Sequence, residues 1–209
     1  MGKNLAPKCK QCRRLGEKLL LKGERCSTPK CAMLKRNYVP GIHGPKGKKR
    51  SSDYGLQLAE KQKARKIYNL MEKQFRLIFE KAQKKTGDTG KNFLKLLEMR
   101  LDNVIFRSGF GASHTQARQL VNHGHFTVNN RKVDVPSFTV KVGDVIKIKK
   151  ASSKNRFFRD LGERMKKAEL PSWIHFDATD LSLKVLHEPG ENDMPKNVNV
   201  QMIIEFYSK

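Results

Sequence analysis

Apolar residues in the middle of the chain recur at intervals of three and four, which is the spacing of one buried helix face. A long helix is therefore predicted from about residue 54 to residue 85, with Asp53 at its N-cap. A turn at residues 86–90 (TGDTG) separates it from a second helix over about 91–107. The apolar face of the first helix consists of Ala64, Ile67, Tyr68, Met71, Phe75, Ile78, Phe79 and Ala82.

Residues 98–160 begin with helical spacing and then change to alternating apolar and polar positions. Ser113 and Gln116 have the spacing of a capping box, and the short helix that they open ends at Gly124. Strands are predicted around turns at 129–130 and 143–144, with apolar positions at Phe126, Val128, Val133, Val135, Val140, Val142, Val145, Ile146 and Ile148. The pattern predicts a compact module of two small helices on a short twisted sheet.

The C-terminal segment is predicted to contain a basic helix at 159–168, ended by Pro171, and a strand at about 183–186. Trp173 is more typical of a packing anchor than of a base-stacking platform. A last strand, which we expect to close a sheet against the module, is predicted from the alternation of Val198, Val200, Met202, Ile204 and Phe206.

These patterns predict an α+β fold class in three parts. Residues 1–50 form a four-cysteine metal knuckle and a basic Gly/Pro arm. Residues 51–97 plus roughly 161–209 form a helical body with C-terminal strands. Residues 98–160 form the small α/β RNA-binding module, inserted into that body.

The chain is strongly basic. It has 44 lysines and arginines and 20 acidic residues among its 209 residues, which gives a net charge of +24. Residues 1–50 hold 15 basic and 2 acidic side chains, residues 51–97 hold 11 and 5, and residues 98–160 hold 12 and 5. Such an excess repels itself, so a polyanion, either nucleic acid or an anionic membrane, is expected to meet these parts. Residues 161–209 hold 6 basic and 8 acidic side chains, a balance that suits packing or contact with a neighbouring protein.

The sequence carries no signal for membrane insertion or export. No apolar run approaches the roughly 18 residues that span a bilayer. The start, MGKNLAPKCKQC, lacks the apolar core of a secretory signal and the Ser or Thr of a myristoylation signal. We therefore expect a soluble, cytoplasmic protein with reduced thiols.

Four cysteines lie near the start, as Cys9-x2-Cys12 and Cys26-x4-Cys31. Paired thiolates on short turns can converge on one tetrahedral metal, and nearby lysines and arginines favour the thiolate. Zinc is the expected metal, while an iron–sulfur cluster uses the same four ligands. The alternatives are free thiols or two disulfides, which are uncommon in the cytosol.

A basic segment, NYVPGIHGPKGKKR, follows at residues 37–50. Its glycines and prolines disfavour a regular helix, and glycine lets the backbone approach phosphates that Lys46, Lys48, Lys49 and Arg50 would neutralise. A solvated linker is the alternative. On the long helix, Lys61, Arg65 and Lys66 lie between the apolar positions. These side chains either contact phosphates or form an ordinary solvated face of the helix.

The run RLDNVIFRSGFGASHTQARQLVNHGHFTVNNRKVDVPSFTVKVGDVIKI closely resembles the small RNA-binding domain named after small-subunit ribosomal protein four. YGLQLAEKQKARKIY and QFRLIFEKA resemble the first helical domain of that family, and VNVQMIIEFYSK is similar to its C-terminus. The four-cysteine start resembles the family's metal-binding bacterial branch. The resemblance covers essentially the whole chain.

The resemblance implies a structural constituent of the small (30S) ribosomal subunit and a primary binder of its 16S ribosomal RNA. Family members dock at a junction of RNA helices in the 5′ domain and nucleate assembly of the subunit body. A place near the messenger RNA entrance is implied, beside the ribosomal proteins numbered three and five, with an influence on decoding accuracy. No membrane and no small-molecule substrate is expected.

The resemblance also implies RNA-facing residues within the module. Arg118 and Gln119 lie on a helix whose apolar side faces the sheet, so both are expected to point outward. His123 and His125 flank a helix C-terminus, which favours a ring proton, although each can instead cap carbonyls. Asp102 is expected to brace a backbone group or an arginine. The implied set is Arg100, Arg107, Ser113, His114, Arg118, Gln119, His123, His125, Asn129 and Lys132.

An enzyme is the competing class, because the same module is appended to pseudouridine synthases and to a tyrosyl-tRNA synthetase. Those proteins carry a separate catalytic domain, for which about 100–200 residues is usual. Here the remaining residues are assigned to other parts, and Asp53, Asp88 and Asp177 have no nucleophile context. We expect no catalysis. A free-standing chaperone or a regulator of its own message is a further alternative that is compatible with ribosomal RNA binding.

Overall fold

The computed structural model describes residues 2, 4–47, 50–159, 161, 165, 170–195 and 197–208. The chain divides into two compact units, Met1–Phe93 with Pro195–Lys209, and Leu94–Met194. Helices and one antiparallel sheet confirm the predicted α+β class. Among the described residues, no helix combines the length and apolar character that crossing a membrane requires.

The first unit begins with the cysteine segment. Helix α1 spans Lys8–Leu15, ends at Gly16 in the left-handed conformation (φ 81°), and is followed by a 3-10 turn at Gly23–Cys26 and helix α2 at Ala32–Lys35. The segment has its own small core of Cys12, Leu19, Leu21, Cys31 and Met33.

The long helix predicted for residues 54–85 is two helices, α3 at Asp53–Ile67 and α4 at Glu72–Gln83. The chain turns between them where Asn69 adopts a positive φ of 53°. The N-cap of α3 is Ser52 rather than the predicted Asp53, since the Gly55 amide donates to Ser52 Oγ at 3.3 Å. Asp53 lies in the first turn instead.

The predicted last strand is wrong, because Val200–Tyr207 forms a helix, α10, that packs against α3. Asn199 caps it by accepting the Met202 amide at 3.3 Å. Its apolar residues alternate, but they also recur at three- and four-residue spacing, which buries Ile203 completely. The Tyr207 ring stacks on Phe79 of α4 at 4.6 Å.

The predicted helix over 91–107 is also divided, into α5 at Thr89–Glu98 and α6 at Leu101–Arg107. Arg100 between them is extended and forms a bridge with Thr139. The Leu101 amide donates to Phe138 O at 2.9 Å, so the later loop holds this break in place.

Helix α7, at His114–Asn122, leads into the sheet of the second unit. Strands β1 (Phe126–Val128), β2 (Arg131–Lys132) and β3 (Val145–Ile148) come from the predicted module. Strands β4 (Ile174–Asp177) and β5 (Ser182–Val185) complete an antiparallel sheet in the order β2-β1-β3-β5-β4. Short helices α8 (Lys150–Ser153) and α9 (Arg156–Arg159) follow β3 along the chain.

The sheet changes the predicted domain limits, because β5 pairs directly with β3, Ile146 opposite Leu183. Strands expected in the helical body therefore extend the module's own sheet. Trp173 is fully buried in the shared core, as predicted for a packing anchor. Within the predicted helix 159–168, Leu161 and Met165 are described, and both are helical and buried.

The turns and strands of the module are confirmed in part. Asn129 and Asn130 both have positive φ (48° and 65°), the geometry of the tight hairpin turn predicted there. The return strand consists of residues 131–132 rather than Val133 and Val135, and Val140 and Val142 lie outside the strands.

Candidate nucleic-acid interface

Three cations are held close together where α1 packs against α3. Arg14 lies in the last turn of α1, and Arg65 and Lys66 lie in the last turn of α3. Burial lowers the pKa of Lys66, and the neighbouring charges of Arg65 and Arg14 lower it further. Like charges held this way destabilise one another, and an anionic ligand on this face would relieve the repulsion. We call Arg14, Arg65 and Lys66 the cationic cluster.

Arg65 and Lys66 were predicted from the sequence, but Arg14 was not. Helix α1 was not predicted, and so the arginine pair that follows Cys12 had no assigned face. That pair, Arg13 and Arg14, directly after a cysteine motif, is the signal that was available.

The prediction that Lys61 contacts RNA is wrong, because its side chain does not face a ligand. It is buried, its Nζ lies 2.7 Å from Glu72 Oε1, and the ammonium stands 4.4 Å from the centre of the Phe206 ring. Glu72 also accepts from Tyr207 Oη at 3.1 Å and lies 3.6 Å from Arg65 Nε. Lys61 therefore belongs to the packing of α10 on α3 and α4.

Arg100 and Arg118 were also predicted to face RNA, and both are buried, each with 3% of its surface exposed. Arg100 binds Asp102 through Nε and Nη2 at 3.0 and 2.9 Å, and Arg118 Nη1 binds Asp102 Oδ2 at 2.9 Å. The expectation that Asp102 braces an arginine is confirmed. Arg118 occupies an inward position of α7 because this carboxylate neutralises it there.

Arg107 is held by a second buried acid. Its Nη2 and Nε donate to the two carboxylate oxygens of Glu98 at 2.7 and 3.0 Å, and Glu98 also accepts from Asn103 Nδ2 at 2.6 Å. The Glu98 side chain is fully buried, whereas that of Arg107 is 29% exposed. Arg107 is therefore partly exposed while its guanidinium is bound to Glu98.

Ser113 and His114 open helix α7 and have structural contacts. Ser113 Oγ accepts the Gln116 amide at 3.3 Å, as predicted for a cap, but Gln116 Oε1 accepts the Ala112 amide at 2.8 Å instead of closing the box. The His114 ring lies 3.9 Å from that of Phe106. Both side chains are partly exposed.

Gln119 is exposed on α7, as predicted, and His123 is exposed just beyond the end of that helix. His125 is partly buried, and its Nδ1 lies 2.9 Å from Ser152 Oγ. The pKa of His125 is lowered, first by burial and then by His123, whose ring centre is 5.9 Å away. The expectation that the helix terminus favours a proton on His125 is therefore wrong.

Asn129 and Lys132 lie on the exposed side of the β1–β2 hairpin. The Asn129 side chain joins the two predicted turns, because its Nδ2 donates to Asp144 Oδ1 at 2.8 Å and its Oδ1 accepts the Val145 amide at 2.9 Å. Lys132 Nζ lies 3.6 Å from Asp134 in a solvent-exposed pair, which holds the lysine only weakly.

The Gly/Pro arm is folded over part of its length. Residues Gly44–Lys46 form a 3-10 turn, and a Cβ on Gly44 would overlap the carbonyl oxygen of Val39. Lys46 and Arg50 are exposed. Lys48 and Lys49, which were predicted with them, lie outside the described residues.

Cys9, Cys12, Cys26 and Cys31 are free thiols that line one small cavity. The Lys22 amide donates to Cys26 Sγ at 3.4 Å, and the pKa of Cys12 is raised, mainly by burial. Within the described residues, no group of three or more His, Cys, Asp or Glu side chains is placed so as to hold a metal ion. The four sulfur donors are of the kind that a structural zinc ion takes.

Comparison with known proteins matches two family models to this chain. Residues 3–98 match the Ribosomal protein S4/S9 N-terminal domain, and residues 99–146 match the S4 domain. The protein named small ribosomal subunit protein uS4 of Thermus thermophilus is 51% identical over 209 residues, the full length of both chains. The chain belongs to the uS4 family of small ribosomal subunit proteins.

Two further relatives agree over their whole length. Small ribosomal subunit protein uS4 of Acetivibrio thermocellus is 50% identical over 209 residues, 100% of each chain. Small ribosomal subunit protein uS4A of Clostridium perfringens is also 50% identical over 209 residues and 100% of each chain. The family is one of ribosomal structural proteins and not a class of enzymes.

Proposed function

We propose that this family member is a structural constituent of the small ribosomal subunit that binds 16S ribosomal RNA directly. The observation that carries the proposal is the cationic cluster, in which exposed Arg14 in the last turn of α1 and half-buried Arg65 and Lys66 in the last turn of α3 lie on two helices that pack together. Gathering positive charges has a cost in folding free energy, which phosphate neutralisation offsets. The chain's net charge of +24 supports the same partner.

The second unit contributes a separate, more polar surface. Gln119, His123, Asn129 and Lys132 are exposed there, and Arg107, which is paired with Glu98, is partly exposed. Hydrogen-bonding side chains of this kind suit the phosphates and 2′-hydroxyls of structured RNA. The buried arginines Arg100 and Arg118 hold this unit together instead of binding RNA.

The finer parts of the proposal rest on the resemblance to the family. The protein binds early, at a junction of RNA helices in the 5′ domain, and nucleates assembly of the subunit body. In the ribosome, in the cytoplasm, it lies near the messenger RNA entrance and contacts the ribosomal proteins numbered three and five, through which it contributes to decoding accuracy.

Reconstitution tests the assembly proposal. Purified protein is mixed with 16S ribosomal RNA, alone or after other small-subunit proteins have bound, and complexes are separated by sedimentation after a moderate salt wash. A primary binder remains with naked 16S RNA. Retention only after other proteins have bound would refute direct primary binding.

The four cysteines are proposed to hold a structural metal ion. Cys9, Cys12, Cys26 and Cys31 are the proposed ligands, with zinc the expected metal and an iron–sulfur cluster the alternative. The four cysteines form no disulfide, so a bound metal would supply the cross-link that stabilises this small core. Metal analysis of protein purified anaerobically distinguishes one zinc per chain from iron with sulfide, and protein lacking both would refute the proposal.

A further inference from the structure

A cavity of about 310 Å³ lies in the first unit, between the end of α1 and the Gly/Pro arm. Its size is at the lower end of the roughly 300–1,000 Å³ typical of small-ligand pockets. Arg13, Arg14, Asn37, Tyr38 and Gly44 are among the residues that line it. All of its lining residues are described, and none of them is acidic.

Arg13 and Tyr38 form a preorganised pair in this cavity. The Arg13 guanidinium carbon lies 4.7 Å from the centre of the Tyr38 ring, and Arg13 Nε donates to the Tyr38 carbonyl oxygen at 2.9 Å. These two contacts fix both flat groups relative to each other. The Tyr38 side chain nevertheless remains exposed, at 39% for the residue. A flat, partly exposed ring supported by a guanidinium is a stacking platform.

Glycines determine the path of the Gly/Pro arm beside this cavity. Gly44 is buried because the 3-10 turn packs its Cα against the Val39 carbonyl, a position that any Cβ would overlap. Its neighbours on this turn, Gly41 and Gly47, have φ values of 119° and 96°, which L side chains rarely adopt. The glycines therefore determine how the arm returns over the end of α1.

Arg14 adds charge at the cavity. It is exposed, and it also belongs to the cationic cluster with Lys66. The cavity therefore joins a stacking surface to a cation within one site. This combination fits a nucleotide, since a base has a flat face and carries a phosphate a few bonds away.

We infer that this cavity receives one unstacked nucleotide from a single-stranded part of the bound RNA, with the base against Tyr38 and a phosphate at Arg14. The inference rests on the proposed function and deepens it. Proteins read loops and bulges of RNA by stacking splayed bases on aromatic rings. An acidic peptide would satisfy Arg14 but would leave the ring of Tyr38 unused.

Ultraviolet crosslinking of the full chain to a 16S ribosomal RNA transcript tests the site. The expected result is a nucleotide adduct on the peptide that contains Tyr38. Absence of that adduct, when other peptides of the same complex carry adducts, would overturn the inference.

Affinity measurements on the same complex give a second test. Removal of the ring in Tyr38→Ala is expected to weaken binding by about tenfold, as loss of one base–aromatic stack does, with the salt dependence unchanged because no phosphate contact is lost. Tyr38→Phe keeps the stack and is expected to bind within about twofold of the native protein. Arg14→Gln is expected to reduce the salt slope by about one.

Tyr54→Ala is the matched control, because Tyr54 is another exposed tyrosine of the first unit that lies outside the cavity lining. Equal losses in Tyr38→Ala and Tyr54→Ala would overturn the inference while leaving RNA binding itself intact. A hexaglutamate peptide is the probe for an acidic protein ligand. If this peptide displaced the RNA and protected Tyr38 from chemical iodination, while the RNA gave no such protection, the inference would be overturned and the cavity would be assigned to an acidic protein. Failure of the native chain to bind the transcript would instead refute the proposed function.

Discussion

Arg118 Nη1 lies 2.9 Å from Asp102 Oδ2, and both side chains are buried. Arg100 binds the same carboxylate, so one acid pairs with two buried guanidinium groups. Charges in such a place are stable only when they are paired and hydrogen bonded. The fold of the second unit therefore depends on Asp102 more than on either arginine.

Asp102→Asn is expected to destabilise the protein by about 3–5 kcal/mol, because it removes the carboxylate charge that both buried arginines bind. Denaturant unfolding followed by circular dichroism measures the loss. Asp134→Asn is the matched control, since Asp134 forms only a solvent-exposed pair with Lys132 at 3.6 Å, and a change below about 0.5 kcal/mol is expected. Equal effects of the two substitutions would contradict the buried network.

Glu72→Gln is expected to destabilise the first unit by about 1–3 kcal/mol, because Glu72 accepts from buried Lys61 and from Tyr207. The partial exposure of Glu72 places the effect below that of Asp102→Asn. Glu80→Gln is the control, since its helical pair with Arg76 is exposed. Thermal unfolding of both variants decides whether this acid anchors α10.

The ring of His125 is expected to titrate below its ordinary pKa of 6.5, because burial and His123 both disfavour its protonated form. The unfolded chain then binds a proton that the folded chain resists, so this residue makes stability fall as the pH drops through about 6.5. Nuclear magnetic resonance titration of the ring proton measures the midpoint. A midpoint above 6.5 would contradict the structure.

Removal of the proposed metal is expected to loosen the cysteine segment while leaving the second unit folded. The small core around Cys12 and Cys31 is separate from the core that contains Phe126 and Trp173. Hydrogen exchange before and after chelation measures this difference. Equal loss of protection in both units would show that they unfold together.

The sequence predicted strands β1 and β3, the capped helix α7 and the asparagine turn of the second unit, because each of these leaves a local signal. It did not predict that β5 pairs with β3, since strand pairing across a long connection depends on tertiary contacts. The apolar residues of segment 200–207 fit both helical and strand spacing. Packing against α3 and capping by Asn199 stabilise the helix.

The candidate interface was harder to predict than the fold. Charge and spacing alone do not distinguish an exposed cationic side chain from a buried one that has an acid beside it, as at Arg100, Arg118 and Lys61. The pairs Arg118–Asp102 and Lys61–Glu72 each join two separate helices, so they exist only after those helices have packed together. The contact of Arg100 with Asp102 is local, and here only the burial of the pair was missing from the sequence. Arg14 was missed because its closeness to Lys66 exists only in the folded chain.

The salt dependence of binding to 16S ribosomal RNA, compared with arbitrary RNA of equal length, tests the central claim most directly. If about 6–10 phosphates are neutralised, affinity should fall by roughly 10³–10⁵ between 50 and 200 mM salt, and the ribosomal transcript should stay the tighter ligand throughout. A flat salt response, or equal affinity for the two RNAs, would contradict the account.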